Sequence, residues 1–151
     1  MTASARLAEL GVTLPAVATP LAAYIPAVRT GNLVYTSGQL PLRSGELTHT
    51  GKVGSEVPPE EGKVAARTCV LNALAAIDAL VGIDSVVRVV KLVGFVASAP
   101  GFNGQPAVIN GASEFLGELF GDAGSHARSA VGVSELPLDA PVEVELIVEV
   151  R

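Results

Sequence analysis

Little in this sequence could hold a metal, a disulfide or a nucleic acid. Its single cysteine, Cys69, rules out an internal disulfide and a thiolate metal cluster. The two histidines, His49 and His126, stand at no ligand spacing, so no metal is expected. Ten Lys and Arg face fifteen Asp and Glu, a net charge of −5. The basic residues are scattered. Nucleic-acid affinity depends on clustered Lys and Arg neutralising phosphates, so no nucleic-acid partner is expected. Neither GxGxxG nor GxxxxGK[ST] occurs, and no nucleophile elbow supports a Ser–His–Asp triad built on His126.

Long hydrophobic runs are missing too. No uninterrupted apolar stretch reaches the roughly 20 residues that span a bilayer. The start, MTASARLAELGVTLP, lacks the basic opening and long apolar stretch of a secretory signal. The chain therefore reads as cytoplasmic, with no membrane partner. There is no Trp and only six other aromatics, four Phe and two Tyr, so the core must be built from Val, Leu, Ile and Ala.

What is present is apolar. Hydrophobic residues make up 49% of the 151 positions and charged ones 17%, too apolar for a disordered chain. It is also more apolar than a monomer of this size requires, which predicts a surface covered by other copies of the chain.

Residues 4–10 form a short helix stopped by Gly11, followed by a proline-bearing extended stretch. Gly31-Asn32 is a turn signal between two apolar runs and predicts a hairpin, with a minor one at Ser44-Gly45. Pro58, Pro59, Glu60 and Glu61 open a helix whose apolar stripe is Ala66, Val70, Ala73, Ile77 and Leu80, ended by Gly82. Residues 86–96 are β-branched and nearly continuously apolar, a buried strand. A second helix covers 105–120, and two strands follow at 127–134 and 142–150. The order ββ, α, β, α, ββ predicts an α+β fold, a mixed sheet with both helices on one face. Cys69, beside the apolar stripe, is read as a core residue.

In the last strand, alternation puts Val142, Val144, Leu146, Val148 and Val150 on the core face, with Glu143, Glu145, Ile147 and Glu149 on the other. In the strand before it, Arg128 shares a face with Ala130, Gly132 and Ser134, small residues that leave space beside the guanidinium. A guanidinium so placed suits bidentate recognition of a carboxylate, and the alternative is a surface arginine paired with a glutamate.

Three segments together resemble the RidA (YjgF) family, also called endoribonuclease L-PSP. They are GNLVYTSGQLP from Gly31 to Pro41, Val108-Ile109-Asn110 opening the second helix, and Ala127-Arg128-Ser129 followed by Leu136-Pro137 and Val142-Glu143-Val144-Glu145. The resemblance divides the chain into an N-terminal extension, 1–20, and a RidA-like domain, 21–151. It implies a chorismate-mutase-like fold assembled as a homotrimer with sites between subunits. It also implies cofactor-free hydrolysis of reactive 2-imino acids to 2-oxo acids and ammonia. In that reading Arg128 holds the substrate carboxylate and Glu143, or a main-chain carbonyl near Ala130, holds the water, while Tyr24, Ser37, Gly38, Asn110, Ala130 and Pro137 line the substrate. Two departures mark a divergent branch: Ala130 stands where a cysteine is usual, and AAYIPAV around Tyr24 lacks the family's usual pattern. The alternative is a non-catalytic module that binds a small carboxylate metabolite on the same scaffold. A ribonuclease is disfavoured by the charge.

Hairpin geometry sets a condition on the pair. If the last two strands pair about residues 138–139, Arg128 lies opposite Glu149 and roughly 20 Å from Glu143. The two then share a site only across subunits, or if the strands are not neighbours.

Overall fold

The computed structural model describes residues 1–20 and 22–151. Helix α1, Ala3–Glu9, is capped by Thr2, whose hydroxyl accepts from the Ala5 amide at 3.2 Å. Seven residues are too few to be stable alone. The helix is held by Leu7 in the core, by Ser4 donating to Asp84 from its amide and hydroxyl, and by Arg6 donating to the Glu118 carbonyl.

Strands β1, Ala27–Thr30, and β2, Leu33–Thr36, form the first predicted hairpin, with Gly31 at φ 57° in its turn. Strands β3, Leu42–Arg43, and β4, Glu46–Leu47, form the minor one, where Ser44 and Gly45 both take the positive φ that a two-residue hairpin turn favours. Helix α2, Pro59–Val81, buries Ala66, Val70, Ala73 and Ile77 as its spacing predicts. Leu80 departs from the stripe at 46% exposed, and buried Ile83 from the next turn joins the core instead. By length and composition α2 could cross a membrane, yet 61% of its apolar window is buried inside the domain, as in a core helix.

Strand β5, Val86–Ala97, helix α3, Gln105–Phe120, strand β6, Ala127–Val133, and strand β7, Val142–Val150, complete the chain. The five-stranded sheet runs β1-β2-β7-β5-β6. Only β5 and β6 are parallel, and α3 is the crossover that parallel neighbours require. Both helices cover one face, against Val34, Val89, Leu92, Val96 and the alternate apolar residues of β7. Cys69 is fully buried there, 3.6 Å from the Val142 carbonyl, and burial pushes its thiol well up, so it is a core residue. The helices meet closely at Gly111, where a Cβ would stand 2.0 Å from the Lys63 carbonyl oxygen.

The last two strands are not a hairpin. The long, apolar β5 lies between them, paired with β6 on one side and β7 on the other. The connection crosses the end of β5, where the Ser98 amide donates to the Val133 carbonyl and the Ala97 amide to that of Pro141. Leu138 and Asp139, both left-handed at φ 59° and 61°, reverse the chain there.

Cross-strand pairing puts Val28, Tyr35, Ile147, Val93, Phe95 and Val131 together on the face that carries no helix. Val28, Tyr35 and Val131 are 50%, 41% and 44% exposed.

Candidate functional site

Arg128 enters the helix side of the sheet from edge strand β6, because its cross-strand partner Leu92 faces the core. Its Nη1 donates to Asn110 Oδ1 at 2.8 Å and to Ser113 Oγ at 3.2 Å, and its Nη2 to the Pro106 carbonyl at 3.1 Å. All three acceptors are neutral. No carboxylate pairs with Arg128 among the described residues, and its Nε–H and one Nη2–H have no acceptor among them. The site thus holds a permanent positive charge, positioned by α3, with donors unspent. Beside it opens a cleft of about 420 Å³.

The space expected along this face is partly filled. Ala130 packs against the core, but at Gly132 a Cβ would stand 2.7 Å from Gln105 Nε2. Gln105 donates to Ser98 Oγ and the Phe102 carbonyl, so it closes that end.

Glu143 is on the other side of the sheet. It pairs with Phe95, and Phe95 with Val131, three positions along from the row of Leu146, Leu92 and Arg128. Two strand spacings across and three residues along separate the backbones by about 14 Å, less than a hairpin would. Opposite faces still keep the side chains apart within one chain. Glu143 lies over Gly38, where a Cβ would stand 1.9 Å from its Oε1, so only glycine admits the carboxylate there. Tyr24 and Gly38 line one recess, and Ser37 Oγ donates to the Ile25 carbonyl at 2.6 Å. Pro137 is exposed in the turn beyond the end of β6 remote from Arg128. The predicted residues therefore form two half-sites, Arg128 with Asn110 and Ala130, and Glu143 with Gly38, Ser37 and Tyr24.

Burial raises the Glu143 carboxyl above its ordinary 4.5, and the Glu145 charge adds to the rise. The fold therefore favours the protonated acid, and its stability falls as pH rises through the raised value. Glu143→Gln should melt above the wild type at pH 7 in calorimetry, with the gap closing below the ordinary 4.5. A melting difference independent of pH would show that burial does not strain this carboxylate.

Two residues at the first half-site escaped the sequence reading. Ser113 stands one turn after Asn110 on α3, and its Oγ is 2.9 Å from His126 Nε2. The i, i+3 spacing of Asn110 and Ser113 was a usable signal, but only the docking of α3 on β6 connects it to Arg128.

The family described as Endoribonuclease L-PSP matches residues 15–150. The chain belongs to that family. Members of the RidA (YjgF) family share this α+β fold, a mixed sheet with helices on one face. The chain is 44% identical over 150 residues to Protein TCP17 of Trypanosoma cruzi, covering 98% of this chain and 94% of that one. It is 34% identical over 142 residues to a 2-iminobutanoate/2-iminopropanoate deaminase of Dermatophagoides farinae, covering 93% and 95%. The crystal structure of the protein Atu1372 of Agrobacterium tumefaciens, described as of unknown function, superposes with a TM-score of 0.91 at 45% identity, covering 99% and 92%. The RidA family includes imine deaminases, and the mite relative carries that name.

Proposed function

We propose that this RidA-family chain hydrolyses reactive 2-imino acids to 2-oxo acids and ammonia, without a cofactor, at sites completed between copies of the chain. The observation that carries the reading is the Arg128 guanidinium, fixed by three neutral acceptors with two N–H groups left for an anion. Bound there, the substrate carboxylate would be clamped by charge-assisted hydrogen bonds.

The remaining chemistry asks little of the protein. Water adds to the carbon of the protonated imine, giving a carbinolamine. The carbinolamine loses ammonia, and the carbon–oxygen double bond of the 2-oxo acid forms as the carbon–nitrogen bond breaks. Holding the imine and one water in register can remove several kcal/mol of barrier. Glu143 suits the water, since a carboxyl raised towards neutrality exchanges protons more readily than an ordinary one.

Because Arg128 and Glu143 project from opposite faces, one site needs Arg128 of one copy and Glu143 of another. The exposed apolar face supports such an assembly, which we take to be a homotrimer in the cytoplasm. A non-catalytic carboxylate binder is the second reading, favoured by the incompleteness of each half-site in a single chain.

The test is release of ammonia and oxo acid from 2-iminopropanoate and 2-iminobutanoate generated in situ. A rate equal to buffer, with small carboxylates still bound, would select the binder. Subunit mixing tests the shared site. Arg128→Ala and Glu143→Gln should each be inactive, and their equal mixture after reassembly should regain about a quarter of wild-type activity, the share of interfaces with both residues intact. No recovery would sink the shared site.

A further inference from the structure

Arg128 is tied to an imidazole. Its Nη1 donates to Ser113 Oγ, and that oxygen lies 2.9 Å from His126 Nε2. On the far side of the ring, His126 Nδ1 is 2.6 Å from the Gly124 carbonyl. Both ends of this chain have a fixed direction, because a guanidinium can only donate and a carbonyl can only accept. Nδ1 therefore carries a hydrogen. Gly124 is buried where a Cβ would stand 2.2 Å from the Leu116 carbonyl oxygen, so its turn is pressed onto α3 and the acceptor beneath the ring is held in place.

The neutral and the charged ring ask opposite things of Ser113. In the neutral ring Nε2 is an acceptor and takes the Ser113 hydroxyl hydrogen, which leaves Ser113 nothing to give a ligand. In the imidazolium Nε2 is a donor. The Ser113 oxygen then accepts from Nε2 and from Arg128 Nη1, both lone pairs are used, and its own hydrogen turns away from the ring. Ser113, His126 and Arg128 line one open cleft, so the released hydrogen is available to an acid held at Arg128. His126 is half-buried there, within reach of protons from solvent. The other charged groups on elements packed about the ring are Glu114 and Glu118 of α3, paired with Lys63 and Arg67, Asp122 of the 121–124 turn, and Arg88 and Lys91 of β5. No carboxylate pairs with His126 among the described residues, so an arriving anion meets no internal competitor for the ring.

We propose that His126 decides whether Ser113 donates to the acid bound at Arg128, so that binding of a 2-imino or 2-oxo acid is coupled to protonation of the imidazole. The inference rests on Arg128 as the carboxylate anchor. His126 is a positioning residue here, acting through the hydroxyl. Its protonation supplies a donor and a positive charge beside the anchor, and both favour an anion. The coupling is reciprocal: an acid that binds the protonated form more tightly must itself favour that form.

Calorimetric binding of pyruvate to the full chain, from about pH 5 to about pH 8.5, tests this across the range where histidine charge changes. The parent is Glu143→Gln, so that the raised carboxyl of the shared site does not titrate in the same experiment. The chain has two histidines, His49 and His126, so ring-proton NMR follows the His126 titration directly. Affinity should rise about tenfold as pH falls through that titration, the worth of one hydrogen bond to a charged group. Near its midpoint binding should take up protons, read from the heats in two buffers of different ionisation enthalpy. Ser113→Ala keeps the imidazole but loses the donor, and should reduce the rise to about twofold, the worth of a partly exposed charge alone. Ser113→Thr, which keeps a hydroxyl, should retain the full rise. His126→Phe should bind at the weaker, high-pH level throughout. An affinity independent of pH, or a tenfold rise that survives Ser113→Ala, overturns the proposal. Failure of the underlying reading looks different: Arg128→Ala would then bind pyruvate as well as its parent does, and the anchor would fall with the coupling.

Discussion

Arg128→Ala should lower kcat/KM for 2-iminopropanoate by about a hundred- to a thousandfold, with the fold left standing. The size follows from what the guanidinium offers a carboxylate. Hydrogen bonds to charged groups are worth about 1.5–3 kcal/mol each, and a bidentate pair fixes direction as well as distance. Losing about 3–4 kcal/mol of transition-state binding is a loss of two to three powers of ten. Both KM and kcat should suffer, since the carboxylate clamp holds the imine carbon where water can reach it. Arg128→Lys should keep part of the affinity but lose the fork, and fall between the two. The fold should tolerate the change because the groups left behind are three neutral acceptors, none of them a buried charge. A melting shift of no more than about 4 °C is expected, the equivalent of about 1 kcal/mol at this size. Steady-state kinetics beside a thermal melt decides it. Unaltered kcat/KM would remove Arg128 from the reaction.

Gly111→Ala should be the most damaging small substitution in the helix layer. Its new methyl would lie 2.0 Å from the Lys63 carbonyl oxygen and 2.9 Å from the carbonyl carbon, and backbone cannot swing aside as a side chain can. Helices α2 and α3 would have to part, which opens the layer between them. Overpacking of this kind costs about 3 kcal/mol, against a gain of about 1 kcal/mol from replacing glycine by alanine within a helix. The net loss of about 2 kcal/mol should lower the melting temperature by about 4–8 °C. Gly117→Ala is the matched control. It sits on the same helix with nothing within 4 Å of its new methyl, so only the propensity gain acts and the melt should rise. Equal shifts in the two variants would mean that the contact at Lys63 is not tight.

The elements were legible because each carries its own period. Helix α3 and strand β7 run over the residues that spacing alone predicted, and alternation put Glu143 on the face of β7 away from the core, whereas nothing in β6 said which side of the sheet Arg128 takes. Strand order was not legible. Whether β6 pairs with β7 or with β5 depends on contacts between distant segments, and a turn-like stretch such as 134–141 fits a hairpin as well as it fits a bridge over the end of β5. The half-sites failed to merge for the same reason. Gly132 looked like empty space because nothing in β6 reveals that Gln105, at the start of α3, reaches into it. Ser113 and His126 became part of the Arg128 site only once the crossover helix was laid against the edge strand.

The place of β7 in the sheet also governs the order in which the molecule can be made. Strand β7, last of this sheet in chain order, lies between β2 and β5, so the hairpin at residues 27–36 has no neighbour in the large sheet until residues 142–150 arrive. A chain made only as far as β6 would carry two unjoined pieces of sheet, β1–β2 and β5–β6, each with raw hydrogen-bonding edges. Strand β7 joins both at once, which makes completion of this sheet abrupt and leaves any chain truncated before Val142 exposed to aggregation.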